Sequence, residues 1–93
     1  MESNLQSKHK PAPTVAERAH IERLKEFPCI VCGSTGPVEI HEPEQGLWFA
    51  AMPLCAVCHR DNTYGWHGAR QNWKARKMSE LDAINATVRM VVA

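Results

Sequence analysis

At 93 residues the chain has room for one small domain, since so short a polypeptide buries a limited core, and a large multi-domain enzyme is excluded. Eleven Lys and Arg against ten Asp and Glu leave a formal charge of +1, which excludes a protein that packages nucleic acid by bulk charge. Apolar residues make up 44%, yet none of their runs approaches the ~20 residues that cross a bilayer, and the polar start lacks the apolar stretch of a secretory signal. No membrane segment is expected, and the expected compartment is the cytoplasm, where cysteines read as thiolate ligands before disulfides.

Residues 1–13 mix Ser, Asn, Gln and Lys with two prolines and carry no hydrophobic period, so they read as a disordered tail ahead of a single domain over 14–93. Thr14 with Glu17 forms a capping box for a helix in which Val15, Ala19, Leu24 and Phe27 recur at roughly helical spacing, until Pro28 stops it. Cys29 to Gly36 reads as a knuckle turn. Val38 to His41 and Leu47 to Leu54 are extended candidates, joined across a turn at Pro43 to Gly46 as a β-hairpin. A short helix through Cys58, His59 and Asp61 ends by Gly65, a residue suited to a left-handed cap. Ala69 to Met78 reads as helix, and Ser79 with Asp82 caps a last helix from Glu80 to about Val91, with Leu81, Ile84, Val88 and Val91 as its apolar stripe. Met52, Leu54, Ile84 and Val88 are assigned to packing. The fold class is α+β.

Cys29-x-x-Cys32 and Cys55-x-x-Cys58 form two knuckles separated by 22 residues, a gap that a hairpin spans. Each knuckle sets two sulfurs on one side of a tight turn, and two knuckles close a tetrahedron around a structural Zn²⁺ with no position open for substrate. Two disulfides or a redox pair are the other readings of this spacing, and iron is a minor alternative to zinc. In so small a chain, metal binding would carry much of the folding free energy.

Four thiolates satisfy one zinc and leave His41, His59 and His67 unclaimed. Singly, each reads as a surface or satisfied core residue. Jointly, His41 at the end of the first strand and His59 directly after the last zinc cysteine are drawn together by the knuckles, which favours a second, catalytic metal site.

The segments PCIVC, VEIHE, EQG, MPLCAVCH and GWHG, between Pro28 and Met78, with the downstream NWKARKMSELDAINATV, resemble the HNH, or ββα-metal, nucleases of the zinc-stapled phage type. That group includes the junction-resolving endonuclease VII and the phage recombination enhancement function nucleases. The resemblance implies a zinc-stapled ββα-metal core flanked by an N-terminal helix and C-terminal helices. It also implies a DNA endonuclease in phage or prophage recombination or processing, acting in a bacterial host cytoplasm, with a recombination protein as a further partner. His41 takes the first and His59 the second catalytic-metal position, with His67 a further ligand. The cation in such chemistry is Mg²⁺, Mn²⁺ or another first-row ion, nitrogen ligands making Mg²⁺ the weaker choice.

The family carries its general-base His directly after the first ligand, where this chain has Glu42. A carboxylate near a cation is a weaker proton acceptor than a neutral imidazole, and its other option is to bind the metal. The second reading is therefore a catalytically inactive HNH-like zinc module that binds DNA or protein. A third is a zinc adaptor that binds protein alone. Arg70, Lys74 and Lys77 fall at i, i+4 and i+7, so on a continuous helix they make one basic stripe, with Arg76 beside it, suited to tracking phosphates. Trp48, Trp66 and Trp73 read as core or zinc-flanking residues before base-stacking ones.

Overall fold

The computed structural model describes residues 12–93, so most of the tail expected over residues 1–13 lies outside the described residues. Within them the chain forms four α-helices and one two-stranded sheet: α1 (Val15–Leu24), β1 (Glu39–His41), β2 (Met52–Leu54), α2 (Ala56–Arg60), α3 (Gln71–Ala75) and α4 (Glu80–Val92). A short 3-10 helix, Trp48–Ala50, occupies the first part of the second extended candidate, leaving Met52–Leu54 as strand. None of the described helices is long and apolar enough to cross a membrane.

Both capping boxes form. Thr14 Oγ1 accepts from the Glu17 N–H at 3.1 Å while Glu17 accepts from the Thr14 N–H at 2.8 Å, and Ser79 and Asp82 repeat the exchange at α4. The strands pair antiparallel with Glu39 opposite Leu54, Ile40 opposite Pro53 and His41 opposite Met52. The period of two along β1 therefore sets Glu39 and His41 on one face. Both lie beside α2, which follows β2 after a single residue, Cys55.

Cys29, Val31, Met52, Leu54, Cys58, Trp73 and Ala83 make up the buried cluster, so the core is built directly around the knuckles. Met52 and Leu54 are fully buried, as expected, whereas the stripe expected on α4 is not its buried face. Leu81 is 76% and Val88 44% exposed, while Ala83 and Thr87 are buried and Ile84 packs on the core. A small Ala83 lets the helix axis approach the cluster closely, and Thr87 tolerates burial because its hydroxyl donates to the Ala83 carbonyl at 2.8 Å. Val15, 86% exposed, likewise faces away on α1, and Leu24 is that helix's buried residue.

The helix expected over Ala69 to Met78 is shorter. Arg70 has a left-handed backbone, φ 61°, before α3, and Lys77 another, φ 53°, after it. Lys77 donates its N–H to the Lys74 carbonyl and Met78 to that of Trp73, both at 3.0 Å, closing α3 as a Schellman motif. The basic residues thus do not lie on one continuous helix. Gly65 is not in the left-handed region expected of it. α2 ends at Asp61 in extended backbone, and glycine is needed at 65 for a different reason, given below.

Candidate metal centre

The two knuckles converge. The sulfurs of Cys29, Cys32, Cys55 and Cys58 all lie within 4.8 Å of one another, and those of Cys32 and Cys55 are 3.7 Å apart. A tetrahedron with ~2.3 Å Zn–S bonds has edges of about 3.8 Å, close to the Cys32–Cys55 separation, so the cluster could hold a structural metal ion. The first knuckle turns through Gly33 at φ +77°, with the Gly33 N–H donating to the Cys29 carbonyl and the Cys29 N–H to that of Ser34, each at 2.9 Å. In the second, Cys55 is also the N-cap of α2, its sulfur accepting from the Cys58 N–H at 3.4 Å.

Burial pushes up the Cys58 thiol, against the Asn72 amide that donates to its sulfur at 3.4 Å, and burial raises Cys55 too. At Cys29 burial acts the same way but is outweighed by the N–H groups of Cys32, Cys55 and Val31, which lower its thiol. Buried sulfurs of this kind become thiolates by gaining a cation, which is the condition a structural site supplies. Trp73 closes the far side: it is buried, and its indole N–H donates to the Cys58 carbonyl at 2.8 Å.

A second cluster is interleaved with the first along the chain. One ring nitrogen from each of His41, His59 and His67 falls within 4.8 Å of the others, and the ring centroids stand 5.2, 5.3 and 4.9 Å apart. Three imidazoles at that separation, each offering a nitrogen, suit a single cation with ~2.1 Å bonds. His41 arrives on β1 and His59 on α2, as the sequence indicates.

His67 arrives by a loop whose geometry depends on glycine. The Trp66 N–H donates to the Cys58 carbonyl at 2.9 Å and the His67 N–H to the His59 carbonyl at 3.0 Å, folding the loop back along α2. A Cβ on Gly65 would sit 2.6 Å from the Asp61 nitrogen, and one on Gly68 would collide with the Asn62 and Asp61 carbonyl oxygens. Both glycines are needed for close approach, and neither has a positive φ.

Two carboxylates that the sequence reading passed over meet these rings. Glu39 Oε1 lies 2.8 Å from His59 Nδ1, and Glu39 also accepts two bonds of 2.9 Å from Arg60 Nε. Arg60 and, after it, His59 hold the Glu39 carboxyl down at about 2, against an ordinary 4.5. Glu80, the first residue of α4, places Oε2 2.8 Å from His41 Nε2. The signal for Glu39 was present, since residues two apart on a strand share a face. Nothing local marks Glu80, which lies 39 residues from its partner. His67 has its proton affinity lowered by desolvation of its ring and then by the charges of His59 and His41.

Glu42 belongs to neither cluster; its Oε1 accepts from the Gly46 N–H at 3.1 Å, closing the turn between the strands. Of the basic residues, Arg70 is held over the Trp66 ring, its guanidinium carbon 3.5 Å from the centroid and its Nε donating to the Trp66 carbonyl at 2.7 Å. Lys74, on α3, and Arg76 and Lys77, after it, are exposed. Trp66 packs against Trp73 with centroids 4.8 Å apart, in line with the core and zinc-flanking reading of both. Comparison with known protein families, curated proteins and solved structures finds no match to this chain.

Proposed function

We propose that this chain is a zinc-stapled, metal-dependent endonuclease of the HNH, or ββα-metal, type that cleaves DNA phosphodiester bonds. The observation that carries this reading is the convergence of His41, His59 and His67, from β1, α2 and the loop after it, alongside a four-cysteine cluster. The order β1, β2, α2 with a ligand on the first strand and another on the helix fits the residues that resemble that family. The resemblance extends the proposal to phage or prophage DNA processing, with a recombination protein as partner, in a bacterial cytoplasm.

In this reading zinc is held by Cys29, Cys32, Cys55 and Cys58, and a divalent first-row cation by the three histidines. A cation there supplies charge that steadies the scissile phosphate and the departing oxygen. His41, His59 and His67 fix its position from three separate elements, so the substrate meets a preorganised charge. Glu42 stands where the family's base stands and would take the proton from the attacking water on a carboxylate oxygen. Arg70, Lys74, Arg76 and Lys77 contact phosphates without reading sequence.

The Gly46 N–H bond to Glu42 favours one rival, an inactive module that binds DNA or protein, because it gives this carboxylate a structural task in the turn. Plasmid nicking across Mg²⁺, Mn²⁺, Ni²⁺ and Zn²⁺ tests the proposal. Wild type is expected to nick with at least one first-row cation, His59→Ala to lose nicking, and Glu42→His to nick ~10²-fold faster, the usual worth of a well-matched acid or base. DNA binding without nicking by wild type and Glu42→His alike would establish the rival.

A further inference from the structure

We infer that Glu80 is a positioning residue of the histidine cluster, so that the C-terminal helix is part of the cation site. This inference rests on reading His41, His59 and His67 as a cation site. Glu80 Oε2 lies 2.8 Å from His41 Nε2, and His41 is 6% exposed, so the contact is largely shielded from water. It is specific in geometry as well. Glu80 reaches His41 but is not among the ligand atoms that gather within 4.8 Å of one another. A carboxylate that touches one ligand ring while standing outside the ligand set sets that ring's tautomer and rotation.

The two nitrogens of an imidazole divide the work. A proton on Nε2, donated to Glu80, leaves the lone pair on Nδ1, so the His41 ring is held in one tautomer and one orientation before any cation arrives. Glu39 does the equivalent for His59 from the opposite nitrogen, Nδ1 at 2.8 Å. The two contacts differ in origin. Glu39 and His59 belong to the hairpin and helix that the knuckles already bind together, whereas Glu80 comes from α4, beyond the knuckles and the histidines. Its place is fixed by the Ser79–Asp82 capping box, which sets where α4 begins, and by Ala83 and Thr87 packed in the interior. Docking of α4 and cation affinity at His41 are therefore linked, each favouring the other.

The test is titration of zinc-loaded protein with Co²⁺, reading the weak visible bands of a nitrogen and oxygen site together with the heat of binding. Wild type is expected to bind one equivalent beyond the zinc. Glu80→Ala should weaken that binding by ~10–100-fold, the usual cost of removing the carboxylate behind a ligating His, and Glu80→Gln, which retains an acceptor, should recover part of it. Asp82→Ala weakens the cap that helps to place Glu80 but keeps the Glu80 carboxylate itself, so it should lower Co²⁺ affinity by clearly less than Glu80→Ala does. Equal affinity in wild type and Glu80→Ala overturns the inference while the cation site stands. An Asp82→Ala loss as large as that of Glu80→Ala also overturns it, by assigning the effect to helix docking alone. No Co²⁺ bound by wild type beyond the zinc overturns the reading of the histidine cluster and this inference with it.

Discussion

The four-cysteine cluster and the three-histidine cluster use similar numbers of ligands yet are built in opposite ways. Each cysteine pair lies within one tight turn, so two turns suffice to bring four sulfurs together, and Cys29 and Cys58 are buried in the core they help to form. The histidines come one from each of three elements, and two of them are met by carboxylates, Glu39 and Glu80, outside the ligand set. The difference teaches that two local turns suffice to gather four sulfurs, whereas rings drawn from three separate places are held by contacts that come from outside the cluster.

This contrast can be broken most forcefully by removing one ligand from each cluster. Cys58→Ser is expected to cost several kcal/mol, because the other three sulfurs lose their fourth partner and the Asn72 amide loses the sulfur to which it donates. Chelation of the zinc under reducing conditions should unfold the domain likewise, read by loss of helical circular dichroism. His59→Ala, by contrast, should keep the fold and lose the second cation. Unfolding on His59→Ala comparable to that on Cys58→Ser would show that both clusters are structural.

A smaller effect sharpens the comparison at the loop that carries His67. Gly68→Ala drives a methyl group into the Asn62 and Asp61 carbonyls, so the loop must lift from α2. Overpacking of this kind costs about 1–3 kcal/mol, and the same displacement moves His67 away from His59. Denaturant midpoint and Co²⁺ affinity are both expected to fall; a fall in stability with unchanged Co²⁺ affinity would remove His67 from the ligand set. The smallest effect has the opposite sign. Lys77 holds φ 53° at the end of α3, a position that favours glycine, so Lys77→Gly should stabilise the domain by about 0.5–1 kcal/mol in thermal unfolding while leaving both clusters intact.

Legibility in the sequence followed the range of the interaction. The capping boxes at Thr14 and Ser79 and the two knuckles each lie within four consecutive residues, and all of them stand in the structure where the spacing puts them. The α4 stripe was misread because exposed Leu81 and Val88 are more hydrophobic than the residues actually buried, Ala83 and Thr87. Close approach to the core selects small size there, which a hydrophobicity pattern does not register. The basic stripe was misread for another reason. It assumes a continuous helix, and the left-handed backbone at Arg70 and Lys77 interrupts it without a glycine or proline to announce the break.

The sequence by itself determined the class of fold and the pairing of the four cysteines in two knuckles, because these are written in short spacings whose geometry the backbone imposes. Tertiary structure alone decided how His67 reaches His41 and His59, since that depends on how closely Gly65 and Gly68 let one loop approach the end of α2. It alone decided that Glu80 meets His41 across 39 residues. That contact is set by where α4 docks, and docking is a property of the whole packed core around Ala83, Trp73 and the knuckles.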